Sequence, residues 1–93
     1  MEDEKNIIIV LDCYTEWCAP CKIYEKIYEK VAEKYKGKAL FLRINLEKDR
    51  ILIDKYNVKA VPTTLIIKGE IIGKLTGAVP TDKLIEFINE HVK

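Results

Sequence analysis

The 93-residue sequence has no surplus of charge of either sign: sixteen Lys and Arg stand against fifteen Asp and Glu, a net +1. A field that weak gathers neither a nucleic acid nor an anionic membrane, so neither is expected as a partner. Long apolar runs are missing too. The only early one, Ile7 to Leu11, follows the acidic stretch Glu2-Asp3-Glu4 and stops at Asp12. A secretory leader needs a basic start and ~7–15 apolar residues, and a membrane span needs ~20. A cytoplasmic protein is therefore expected, in a compartment where thiols stay reduced. An even number of cysteines is also lacking, and three cannot all pair within one chain. That count excludes a disulfide-stapled secreted scaffold and raises the question of which cysteine stands apart. What remains is globular material, 48% hydrophobic and 33% charged. Its length suits one domain spanning 1–93. So short a chain buries only about 60–65% of its unfolded surface, which makes for a thin core.

Periodicity divides the chain into seven elements. Ile7 to Tyr14 is apolar apart from one acid, the pattern of a strand covered on both faces. Glu16 to Lys36 has helical spacing, with Ile23, Ile27 and Val31 in one stripe and Tyr24, Tyr28 and Tyr35 beside it. Gly37 stands where a helix C-cap belongs. Ala39 to Leu46 reads as a strand and Glu47 to Tyr56 as a short helix carrying Ile51 and Leu52. Val61-Pro62-Thr63 opens a strand to Lys68, Gly69-Glu70 turns the chain, and a partner strand runs from Ile71 to Thr76. The last helix starts near Thr81-Asp82 and presents Leu84, Ile85 and Ile88 to the core. The order β-α-β-α-β-β-α predicts an α/β fold. A right-handed crossover joins the first two strands, and the mixed four-stranded sheet carries helices on both faces. Along the long helix, Lys22, Lys26, Lys30 and Lys34 alternate with Glu25, Glu29 and Glu33 as a solvated face.

Chemistry concentrates at Trp17-Cys18-Ala19-Pro20-Cys21-Lys22, where the first strand hands over to the first helix. Cys18 there caps the helix and Cys21 lies one turn in. Unpaired N–H groups and about half a positive charge at a helix start favour a thiolate. Cys18 is thus the expected attacking thiol, and Cys21 is close enough to bond to it and release a substrate from a mixed disulfide. Pro20 loses nothing in a first turn, where its missing N–H has no partner to give up. Two other readings stand beside this one. A Cys-x-x-Cys can be half of a zinc site, but zinc wants four ligands and only Cys13 and His91 are left to supply them. The pair can also be inert core. No metal is expected.

With Asp12 in the first strand, Glu16 to Lys22, Val61-Pro62-Thr63 and Thr76-Gly77-Ala78, the sequence resembles the thioredoxin family over nearly its whole length. Thioredoxin is itself the standard example of Cys-x-x-Cys thiol chemistry. The resemblance implies a thioredoxin-like fold and a thiol–disulfide oxidoreductase that reduces protein disulfides. It implies Cys18 as nucleophile, Cys21 as resolving thiol, and Asp12 as a buried acid that takes the Cys21 proton. Arg43 stands where the family often has a lysine facing that acid. It also implies a cis Pro62 that leaves the Val61 backbone free for an extended substrate. Trp17, Ala19 and Pro20 would form the binding rim, with Gly77 and Ala78 admitting a substrate backbone. Implied partners are disulfide-containing proteins and a thioredoxin-reductase-like flavoprotein; no bound cofactor is implied, and a monomer is expected. Tyr14 reads as packing, and Cys13 as a silent core residue.

The sequence departs from the family in three places. Ala19 replaces the commoner glycine, and Lys26 stands where many members have a helix-kinking proline. The stretch before Ile7 is too short for the usual extra strand and helix, which makes Ala39 to Leu46 an expected sheet edge. That shorter core also resembles glutaredoxins, although the Pro-Tyr pair between their cysteines is absent. A glutathione-dependent oxidoreductase and a redox-inert binding module on the same fold are the alternative readings.

Overall fold

The computed structural model describes residues 7–92; residues 1–6, which read in the sequence as a solvated tail, lie outside them. Four strands form one sheet: β1 (Ile9–Tyr14), β2 (Leu40–Asn45), β3 (Thr63–Lys68) and β4 (Glu70–Thr76). Three helices accompany them, α1 (Ala19–Lys34), α2 (Ile51–Lys55) and α3 (Thr81–His91). The strand order is β2-β1-β3-β4, with β1 parallel to β2 and antiparallel to β3, and β3 antiparallel to β4. The expected mixed sheet is therefore present, and β2 is an edge as anticipated.

Alternation along β1 sends its residues to two separate cores. Val10 joins Tyr24, Tyr28, Val31, Ile66, Leu84, Phe87 and Ile88 under α1 and α3. Leu11 and Cys13 join Leu46, Val58 and Leu65 on the α2 face. The side chain of Cys13 is fully buried, in keeping with its reading as core.

Four details differ from expectation. In α1 the buried face is Cys21, Tyr24, Tyr28 and Val31, whereas Ile23 is 67% exposed. Hydropathy ranks isoleucine above tyrosine, but these tyrosines reach hydrogen-bond partners inside the sheet, so their polar tips cost little to bury. The Tyr24 hydroxyl lies 2.6 Å from Thr64 Oγ1. The Tyr28 hydroxyl lies 2.6 Å from the Val10 carbonyl and 2.7 Å from that of Leu42. Second, α1 stops at Lys34 with Tyr35 as its cap; Gly37, at φ +86°, turns the chain beyond the helix end. Third, α2 is half the expected length and Ile51 is exposed. Fourth, α3 buries Phe87 in place of Ile85. The Lys–Glu face of α1 is solvated as expected, with Lys22, Lys26, Lys30 and Lys34 exposed. Among the described residues none of its pairs closes to an ion pair, and Glu25 turns instead to Arg43 at 2.9 Å.

Candidate active site

The end of β1 and the start of α1 place two sulfurs side by side. Cys18, in extended conformation, is the N-cap of α1, and its Sγ accepts the Cys21 N–H at 3.2 Å. Pro20 falls in the first turn, as its fixed φ and missing N–H suit. Cys18 and Cys21 are joined by a disulfide, with Cα atoms 5.2 Å apart. Cys18 keeps 5% exposure and Cys21 only 1%, so an incoming group meets Cys18 first. Trp17 and the Cys18 neighbours Ala19 and Pro20 form the exposed rim, with Trp17 73% exposed.

The indole is not loose. Its Nε1–H donates to Glu47 Oε2 at 2.8 Å, and Glu47 Oε1 accepts the Glu16 N–H at 2.9 Å. Sequence reasoning missed Glu47. It stands 30 residues from Trp17, and no local pattern marks an acid after a strand as a clamp.

The β3 start closes the other side. The Val61–Pro62 peptide is cis, as the resemblance implied, and Pro62 is buried. Cys18 Sγ lies 3.8 Å from the Val61 carbonyl oxygen. Among the described residues neither the N–H nor the carbonyl of Val61 has a backbone partner. Gly77 donates its N–H to the Pro62 carbonyl at 2.8 Å, which brings it into the site. Its φ of +102° is the reason for glycine there.

Asp12 sits beneath, fully buried. Register explains its partner: Asp12 faces Arg43 across the β1–β2 pair and Thr64 across β1–β3. Arg43 Nε donates to Asp12 Oδ2 at 2.9 Å, while Arg43 Nη1 meets Glu25 Oε2 at 2.9 Å. The guanidinium also lies 4.0 Å above the Tyr14 ring, so Tyr14 does more than pack. Burial pushes the Asp12 carboxyl above the usual carboxylate range; Arg43 opposes that shift without reversing it. Asp12 Oδ1 and Thr15 Oγ1 are buried without a hydrogen-bond partner. A cleft of about 400 Å³ is bordered by Tyr14, Thr15, Cys21, Glu25 and Arg43. Burial and the neighbouring Asp12 charge push the Cys13 thiol up to about 12, so it stays protonated and inert. No cluster of three or more His, Cys, Asp or Glu that could hold a metal occurs among the described residues.

Comparison with known proteins decides the family. The family model for thioredoxin matches residues 2–90. The chain belongs to the thioredoxin family. It is 32% identical over 88 residues to the thioredoxin of Haemophilus influenzae, covering 94% of this chain and 82% of that one. It is 31% identical over 93 residues to the thioredoxin of Chlorobaculum thiosulfatiphilum, covering 99% and 84%. The crystal structure of the germline-specific thioredoxin Deadhead from Drosophila melanogaster superimposes with a TM-score of 0.87 at 33% identity, over 98% of this chain and 87% of that one. As a thioredoxin the protein is a thiol–disulfide oxidoreductase. Disulfide-containing proteins are its substrates in general terms, and a reductase is its partner. The family match sets aside the inert-module reading of the fold.

Proposed function

We propose that the protein reduces disulfides of cytoplasmic proteins, with Cys18 as nucleophile, Cys21 as resolving thiol and Asp12 as the proton acceptor between them. The observation that carries this reading is the Cys21 N–H aimed at Cys18 Sγ from the start of α1. In the reduced protein that donor and the helix dipole favour a Cys18 thiolate. The thiolate attacks one sulfur of the substrate disulfide, a mixed disulfide forms, and the other substrate sulfur leaves as a thiolate. Cys21 then loses its proton toward the Asp12 carboxylate and attacks Cys18 Sγ, which releases the second substrate thiol. Two electrons pass to the substrate and the Cys18–Cys21 disulfide remains. A carboxyl held above its ordinary range suits this work, because it binds a proton at a pH where an exposed aspartate would not. Trp17, Ala19, Pro20, Val61, Pro62 and Gly77 form the surface that receives the substrate backbone, and the protein works as a monomer without a bound cofactor.

A flavoprotein reductase using NADPH returns the electrons. In insulin-disulfide reduction, Cys18→Ser abolishes turnover and Cys21→Ser accumulates the mixed disulfide, seen as a mass adduct. Full activity in Cys18→Ser would overturn the mechanism. Recycling by glutathione but not by NADPH with thioredoxin reductase would overturn the assigned reductant.

A further inference from the structure

A second groove lies between Trp17, the chain neighbour of Cys18, and Val61, whose carbonyl oxygen is 3.8 Å from Cys18 Sγ, and its charge is lopsided. It holds about 270 Å³, with Leu46, Ile53, Val58 and Val61 as an apolar floor and Arg50 and Lys59 among its walls. Both cations are exposed, and among the described residues neither takes part in an ion pair. The only carboxylate lining the groove is Glu47, and both of its oxygens are already occupied by the Trp17 indole and the Glu16 N–H. Asp49 and Asp54, the neighbouring acids, do not line it. Two cations are thus unpaired where one anion is tied down.

The backbone says how a substrate would lie there. Beside Cys18, Val61 has no backbone partner for its N–H or its carbonyl among the described residues, which suits an extended segment adding itself alongside residues 59–61. Lys59 precedes Val61 by two residues and Arg50 lines the same groove, so a segment held there shares the groove with both cations. We infer that this groove selects cystine segments whose flanking residues are acidic. The inference rests on the oxidoreductase reading and adds a substrate class to it. Exposed charge pairs are individually weak, so the expected preference is modest, about 3- to 10-fold in kcat/KM, and it fades as salt screens it.

The test uses three cystine peptides that differ only in the residues flanking one half-cystine: aspartates, asparagines or lysines. Reduction by the full chain at low ionic strength should rank aspartate above asparagine above lysine, and high salt should level the three. The double variant Arg50→Glu with Lys59→Glu should invert the aspartate-to-lysine ratio, and Arg50→Gln with Lys59→Gln should bring it near one. Because the readout is a ratio within one variant, a general loss of activity does not imitate it. Equal rates for all three peptides, or a ratio unmoved in both variants, overturns the inference and leaves the oxidoreductase reading standing. If none of the peptides is reduced, both fall together.

Discussion

Asp12 is the one buried acid among the described residues. Its side chain is fully buried, Arg43 pairs with one oxygen and the other has no partner. Burial outweighs Arg43, so the folded state binds the Asp12 proton more tightly than the unfolded chain does. The stability that this proton supplies is complete below the unfolded carboxyl value of about 3.9 and is lost as pH rises through the raised folded value. Asp12→Asn removes the charge while keeping an oxygen for Arg43. Thermal unfolding of the oxidised protein should show little difference in acid and a gain for the variant at pH 8, where the charge on Asp12 is no longer buried. Release from the mixed disulfide should slow in the same variant. A gain that grew toward acid would contradict the assignment. The chain showed an acid inside an apolar strand, which marked Asp12. It did not show that Glu25 holds the far side of Arg43, since Glu25 reads as one member of a solvated face.

At the scale of elements, α1 is fastened by its tyrosines. Tyr28 spans from the helix to carbonyls of both β1 and β2. Tyr28→Phe removes the hydroxyl from the buried Val10 carbonyl and the part-buried Leu42 carbonyl and should cost about 1–3 kcal/mol in denaturant unfolding. Ile23→Ala, on the exposed face of α1, should stay within ~0.5 kcal/mol. The reverse order would restore the isoleucine stripe that hydropathy alone suggests. The existence of the helix was legible in the spacing of residues 16–36. The exact face was not, because the worth of a buried tyrosine depends on acceptors from strands 14 and 18 residues distant.

Across the whole molecule the two faces of the sheet are unequally covered. α1 and α3 roof one face, whereas the other has the five-residue α2, which buries no residue fully. Leu40 and Leu42 of the edge strand stay 50% and 42% exposed. Opening should therefore begin at α2. Hydrogen exchange should find the α2 amides least protected and those of β1 and β3 most protected. Cys13, buried on the α2 face with its thiol pushed up to about 12, should resist iodoacetamide at neutral pH in the oxidised protein. Its alkylation should appear only as that face opens. Rapid labelling of Cys13 in the fully native protein would show that the α2 face is not closed.

By itself the sequence determined the order of the elements, the dithiol at a helix start and the acid in the first strand. Each of these is written within a few neighbouring residues, in a period, a cap or a three-residue spacing. Only the tertiary structure decided which distant groups share a volume. It brought Glu47 to Trp17, set Arg43 between Asp12 and Glu25, and placed Arg50 and Lys59 on one groove with Trp17 and Val61. Desolvation and Coulomb interaction depend on distance in space, and here strand register and helix packing set that distance.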